Sequence, residues 1–408
     1  MFVSIANDPK QYAWGSHSAV ASILGREESG KPEAELWLGA HPASPARIVD
    51  PARMDGHTTL AEWIAADPLQ ALGPQLAPGT RLPFLLKVLA ASLPLSLQAH
   101  PTEVQAAAGF ERENAAGIPL DAPFRNYRDP HHKPELLVVL SETFEALCGF
   151  RSLDEVQSVV RKLCRRALGD PAARSDLEQF SARIGAATGL SPVVEWLLEG
   201  SPEVSRLVDA LVHLATHPAG VEEKPTPLST IRQLANSYPG DPGIVVSLLV
   251  NHVTLSRGDA LYLPAGNIHA YLHGVGIELM AASDNVLRGG LTTKHVDVKE
   301  LLQVLDFSPS PVPLLLPDQL ARGVKVFRPE VADFQLIQAD LEDSMVSLDL
   351  EGPTIIFVSE GQAHLEGSRS SRTAAKGEAL YITPDEGFLT LAGSGQVFLA
   401  TTGSPPAN

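Results

Sequence analysis

The sequence predicts a mainly β fold with an α-helical insertion, and three observations carry that expectation. Short apolar runs of strand length, such as residues 136–140, lie on both sides of the chain's middle and are bounded by turn residues. Between them, over 152–238, apolar residues recur at helical spacing. A strand-and-turn unit then occurs twice, as Gly258-Asp259-Ala260-Leu261-Tyr262-Leu263-Pro264 and as Gly377-Glu378-Ala379-Leu380-Tyr381-Ile382-Thr383-Pro384. One supersecondary unit used twice points to two related β structures in one chain.

In order, residues 1–58 carry many turn signals and little helical periodicity. Tyr12-Ala13-Trp14-Gly15 and Glu35-Leu36-Trp37-Leu38-Gly39 each set an aromatic beside a glycine, as happens where strands give way to turns. A short helix is expected over 59–66, with Thr58 or Thr59 as cap and Glu62 in its first turn. Residues 83–97 read as buried strands around one break, and Thr102 caps a helix over 102–113. A loop over 114–130 then delivers His131-His132-Lys133-Pro134-Glu135, with the two histidines read as a solvated pair. Ser152-Leu153-Asp154-Glu155 is a capping-box pattern, and Ser191-Pro192 and Ser201-Pro202 are cap-plus-proline helix starts. Four or five helices are expected there. A turn at 240–243 leads to an expected strand over 244–255. A helix follows over 296–305, with Asp297 near its start, then short strands at 345–350, 354–358, 379–382 and 396–400.

The 408 residues suffice for two or three domains, and 44% hydrophobic with 19% charged residues is the balance of a folded globular chain. The net charge of −17 speaks against a nucleic-acid backbone as partner, since no basic excess is present. It leaves room for a small anionic ligand held by a few local cations. Two cysteines, Cys148 and Cys164, supply neither a disulfide framework nor a cysteine-rich zinc site and read as core thiols. No basic segment followed by an apolar one opens the chain and no apolar run has membrane-spanning length. The expectations are therefore no signal peptide, no membrane partner and a cytoplasmic location. A monomer or weak dimer is expected.

Gln98-Ala99-His100-Pro101 ends an apolar stretch. In a strand, Gln98 and His100 share a face, and Pro101, lacking an N–H, ends the ladder. Alone, this is a strand end with two polar residues on one side. The segment Gly258, five residues, then Pro264-Ala265-Gly266-Asn267-Ile268-His269 resembles the second motif of cupins, small antiparallel barrels in which such a histidine binds a metal at the barrel mouth. The resemblance implies cupin-type, jelly-roll-like barrels, two in this chain. Further segments are similar to type I mannose-6-phosphate isomerases. These are Leu82-Pro83-Phe84-Leu85-Leu86-Lys87-Val88-Leu89, Leu95-Ser96-Leu97-Gln98-Ala99-His100-Pro101, His132-Lys133-Pro134-Glu135, and residues 277–291 with Ser283-Asp284-Asn285-Val286-Leu287-Arg288.

That resemblance implies one zinc ion per chain, with Gln98, His100, Glu135 and His269 as its ligands. It further implies interconversion of D-mannose 6-phosphate and D-fructose 6-phosphate, a phosphosugar reaction that moves a proton between C2 and C1 through an enediol(ate). Imidazole and carboxylate donors suit zinc. Singly, each residue also has a plain reading: Gln98 at a strand end, Glu135 paired with Lys133 or Arg128, His269 as a core histidine. Arg288 matches the catalytic arginine; a guanidinium stabilises charge and does not act as a base. Lys133, beside the Glu135 ligand, and Glu278 are the proton-transfer candidates, since a nearby metal favours the basic form of an ammonium and a carboxylate can act as a base. Lys87, Ser96 and Lys294 are candidates for phosphate or hydroxyl contacts. Trp14 is a candidate apolar wall, with core packing as its other reading.

The expected organisation is a catalytic barrel domain from 1–150 and 239–308, a helical insertion over 151–238, and a barrel-like β domain over 309–408. The last lacks metal ligands, since no histidine follows Pro384 as His269 follows Pro264. Two histidines and a glutamate would also suit a non-haem iron oxygenase, and the fold would suit a non-enzymatic sugar-binding protein. Gln98, where oxygenase cupins have another histidine, favours the isomerase.

Overall fold

The strand His269–Ala281 is the spine of one antiparallel sheet, and its register explains why polar groups collect inside. The computed structural model describes residues 1–79, 81–216, 226–342 and 345–403. The first half of the spine pairs with Gln98 and with Thr143–Phe150. The second half pairs with Phe84–Ala91 on one side and Glu135–Val139 on the other. A register shift between Tyr271 and His273 separates the halves. At Gly274, with φ +130°, a Cβ would lie 2.5 Å from the Phe144 ring, so the bend requires glycine. Glu35–Leu38 extends the sheet beyond Phe84–Ala91, and Leu287–Arg288 extends it beyond Gln98–Ala99.

All eight residues of Phe84–Ala91 are buried, because both faces of this strand are covered. Phe84, Leu86, Val88 and Ala90 pack into one core with Leu136, Val138, Ile277 and Leu279. Ile355, Phe357, Tyr381 and Phe398 meet them there from the C-terminal hundred residues. Side chains alternate, so Leu85, Lys87 and Leu89 face the other way, as do Glu35, Trp37, Glu135, Glu278 and Met280. Period-two patterning thus places the charged residues on the inner face and the aliphatic ones against the second sheet.

The second sheet runs Asp318–Ala321, Val324–Phe327, Gln335–Glu342, Phe388–Thr401, Thr354–Gly367, Ala379–Ile382, Phe2–Ala6, Arg47–Ile48. The two copies of the repeated unit take the same turn. Gly258 and Gly377 have φ +87° and +86°. Asp259 Oδ2 accepts from Ser256 N and Glu378 Oε2 accepts from Ala375 N, each at 2.8 Å. The chain's first strand, Phe2–Ala6, pairs with Ala379–Ile382, so the sheets cut across the expected 1–150 grouping.

Among the described residues five helices fill the insertion: Leu153–Arg166, Pro171–Ala186, Ser191–Leu198, Pro202–Thr216 and Pro227–Ser237. Residues 217–225 of the expected insertion lie outside the described residues. Ser152 and Glu155 form the expected capping box. Ser191 is not a cap; Leu190 takes that place and Ser191 begins the helix. The expected strand over 244–255 is corrected to a helical turn at Gly243–Val246, a 3-10 turn at Ser247–Leu249, and a strand at Val250–Ser256. Its first residues are buried on all sides, which leaves no periodicity to tell helix from strand. Thr143–Phe150 was not anticipated as a strand. Cys148 is buried and Cys164 half-buried, both as free thiols. Among the described residues no helix is long and apolar enough to cross a membrane.

Candidate functional site

His100, Glu135 and His269 converge from three strand ends. Their donor atoms lie within 4.8 Å of one another, and all three side chains are buried. His100 Nε2 is 3.3 Å from Glu135 Oε1, and His269 Nε2 is 3.3 Å from Glu135 Oε2. The other nitrogen of each ring is already committed. His100 Nδ1 is 2.7 Å from the Asn285 carbonyl oxygen and His269 Nδ1 is 3.0 Å from that of Asn267. A carbonyl only accepts, so Nδ1 carries the hydrogen and Nε2 offers a lone pair to the centre. His100 Nε2, His269 Nε2 and Glu135 Oε2 have no hydrogen-bond partner among the described residues. Burial, reinforced by Lys133, pushes the His100 imidazole down to about 4, so the ring is neutral. Burial works against the Glu135 carboxylate, yet Lys133 and then His100 hold it well below the ordinary range. Unpartnered lone pairs aimed at one buried point are what a cation satisfies.

Gln98 stands between His269 and Arg288, directly opposite the first on one side and the second on the other. Directly opposed residues present their side chains to one face, so these three share a surface. Lys133 Nζ lies 3.0 Å from Glu135 Oε1. Beneath the centre, Lys87 Nζ is 2.8 Å from Glu278 Oε2 and 3.7 Å from Glu35 Oε1, and it sits 5.1 Å over the Trp37 ring. Burial opposes the Lys87 ammonium, but Glu278 and Glu35 raise its pKa. Burial, together with Glu135 and Glu35, keeps the Glu278 carboxyl above its usual range despite Lys87. Lys87, expected at the substrate, pairs with two interior carboxylates in this structure.

A second group gathers Arg288, Arg128 and Lys294. Burial and then Arg128 lower the Arg288 pKa; burial, Arg288 and Arg128 lower that of Lys294. None of the three has an acidic partner within salt-bridge distance among the described residues. Three mutually repelling cations without a carboxylate are suited to a multiply charged anion. Arg128 is the member that sequence reasoning missed. It stood out there as no more than a pairing option for Glu135; its nearness to Lys294 depends on the loop that carries it.

Ser96, half-buried, lies in the irregular stretch just before the strand Gln98–Ala99. Trp14 packs beside Leu89, Leu137 and Tyr271, on the inner wall. His132 is no solvated pair-mate of His131, since its Nε2 reaches Asp333 at 2.8 Å.

The model of the phosphomannose isomerase type I catalytic domain matches residues 2–153. The mannose-6-phosphate isomerase of Escherichia coli K12 is 37% identical over 396 residues, covering 96% of this chain and 97% of that protein. The human mannose-6-phosphate isomerase is 33% identical, covering 86% of each. The solved Salmonella typhimurium mannose 6-phosphate isomerase, bound to fructose 6-phosphate and zinc, superposes with a TM-score of 0.86 at 36% identity. That comparison covers 99% of this chain and 100% of the other. With similarity of this extent over nearly the full length of both partners, this chain belongs to the type I mannose-6-phosphate isomerase family.

Proposed function

We propose that the site interconverts D-mannose 6-phosphate and D-fructose 6-phosphate with the help of one zinc ion held by Gln98, His100, Glu135 and His269. The observation that carries this reading is the set of three buried, unpartnered donor atoms on His100, Glu135 and His269. The residues fit zinc: two imidazoles, one carboxylate and one amide oxygen. When bound, zinc supplies a positive charge that stabilises an oxyanion at the sugar's reacting end. The interior carries Glu35, Glu135 and Glu278 against Lys87 and Lys133, one negative charge in excess, which a divalent cation reverses.

The chain's own residues do the rest. Arg128, Arg288 and Lys294 hold the phosphate, so that binding energy at one end fixes the other. Arg288, beside Gln98, also faces the reacting end, where its permanent charge stabilises the enediolate. Glu278 and Lys133 are the groups that carry the proton between C1 and C2. Glu278 is the better base, because burial raises its pKa above the usual carboxylate range while Lys87 orients it. Lys87 thus acts through Glu278. Ser96 offers a hydroxyl to the sugar, and Trp14 backs the apolar wall. A two-histidine, one-carboxylate set also suits iron, but an oxygenase has no use for the Arg128, Arg288 and Lys294 cluster.

A coupled assay with mannose 6-phosphate tests the reading. Steady fructose 6-phosphate formation is expected. Fully metallated protein that binds the sugar phosphate without turnover would make this a sugar-binding protein.

A further inference from the structure

Asn285 is completely buried, and its side chain spends its whole bonding capacity on one loop. Its Oδ1 accepts from Arg128 N at 2.7 Å and from Asp129 N at 3.3 Å. Its Nδ2 donates to the Asp129 carbonyl and the His131 carbonyl, each at 2.8 Å, and reaches Asp129 Oδ1 at 3.3 Å. Donors meet acceptors throughout, so the amide has one orientation. The backbone of the same residue serves the metal ligands, because its carbonyl oxygen takes the His100 Nδ1 hydrogen at 2.7 Å. Ser283 braces the arrangement, with its hydroxyl 2.8 Å from Asp129 Oδ1 and 3.2 Å from Asn285 N. Asp284 N adds a bond to Asp129 Oδ2 at 2.8 Å.

We propose that Asn285 is a positioning residue that ties the phosphate clamp to the metal centre, by fixing the loop of Arg128 through its side chain and the His100 ring through its carbonyl. This rests on the proposed roles of Arg128 and His100. Arg128 has no acidic partner within salt-bridge distance among the described residues, so the amide sets where its guanidinium begins. Three residues on, Arg288 leaves the same segment, so one short stretch aligns two clamp cations with the imidazole. An aspartate at 285 would keep the acceptors but lose both donors and set a charge beside Asp129. A glutamine would overfill the space. The substrate's two ends must be held at a fixed separation for proton transfer, and Asn285 spans the two holding points.

The test is a double-mutant cycle on the full chain with zinc bound. Inorganic phosphate is the probe, its affinity read by calorimetry, alongside KM and kcat for mannose 6-phosphate, zinc content and melting temperature. Arg128→Ala is expected to weaken phosphate about tenfold or more. Asn285→Ala is expected to do the same and raise KM more than it lowers kcat, with zinc retained, because alanine keeps the carbonyl that holds His100. The double variant is expected within about twofold of Arg128→Ala alone. Multiplying effects, or unchanged phosphate affinity in Asn285→Ala, would overturn the proposal. Should Asn285→Ala not fold, Ser283→Ala loosens the same loop and must also weaken phosphate in the presence of Arg128 and not in its absence. Calorimetry reads phosphate whether or not the chain turns over sugar, so a failed isomerase reading and a failed coupling are told apart.

Discussion

Lys87 and Glu278 stand directly opposite each other across an antiparallel strand pair and close a 2.8 Å ion pair, both buried. Removing one partner leaves the other charge uncompensated in the interior. Lys87→Met is therefore expected to lower unfolding stability by about 3–5 kcal/mol, and Lys87→Met with Glu278→Leu to recover much of it. Denaturant unfolding of the three proteins measures this. A single variant as stable as wild type would mean that water reaches the pair.

Glu278 and Lys133 separate by what they touch. Glu278→Gln is expected to keep its zinc and lose about 10²–10⁴ in kcat with KM little changed. Lys133 contacts the ligand Glu135, so Lys133→Met is expected to alter zinc affinity as well as turnover. Equilibrium zinc titration beside steady-state kinetics reads both. Full activity in Glu278→Gln would pass the proton to Lys133.

Arg288→Ala is expected to retain one zinc per chain and lose most of its turnover, since Arg288 lies opposite Gln98 and contributes no ligand. Metal analysis paired with the coupled assay checks it. Loss of zinc would make Arg288 a structural residue.

Acid should destabilise the metal-free protein through His100. Its imidazole takes up protons near 6.5 when unfolded but near 4 when folded, so the unfolded state binds more protons between those values. Stability is present above 6.5 and is lost as pH falls towards about 4, by about 3 kcal/mol from this residue. Chelated wild type and His100→Gln, unfolded at pH 7 and pH 4.5, should differ in that loss. Equal losses would exclude His100 as its source.

The sheets and helices were legible where one face was buried or a cap was present. Thr102 and Ser152 announced their helices, and the Gly258 and Gly377 turns announced the repeat. Gly243–Val246 was misread because a wholly buried apolar run carries no period. Of the proposed site, Gln98, His100, Glu135 and His269 are legible only through the family motifs they stand in, and the structure brings the last three together. The pairing of Lys87 with Glu278 is not legible in the sequence, because Glu278 lies 191 positions away and pairs through strand register, which no local pattern reveals. Asn285 was hidden for the same reason, since its bonds run to residues over 150 positions distant.

The zinc claim is tested most directly by removing and restoring the metal while following turnover of mannose 6-phosphate. Chelation to below a tenth of an equivalent should abolish fructose 6-phosphate formation in proportion to zinc removed, and adding one equivalent should restore it. Turnover that persists in fully metal-free protein would contradict the account.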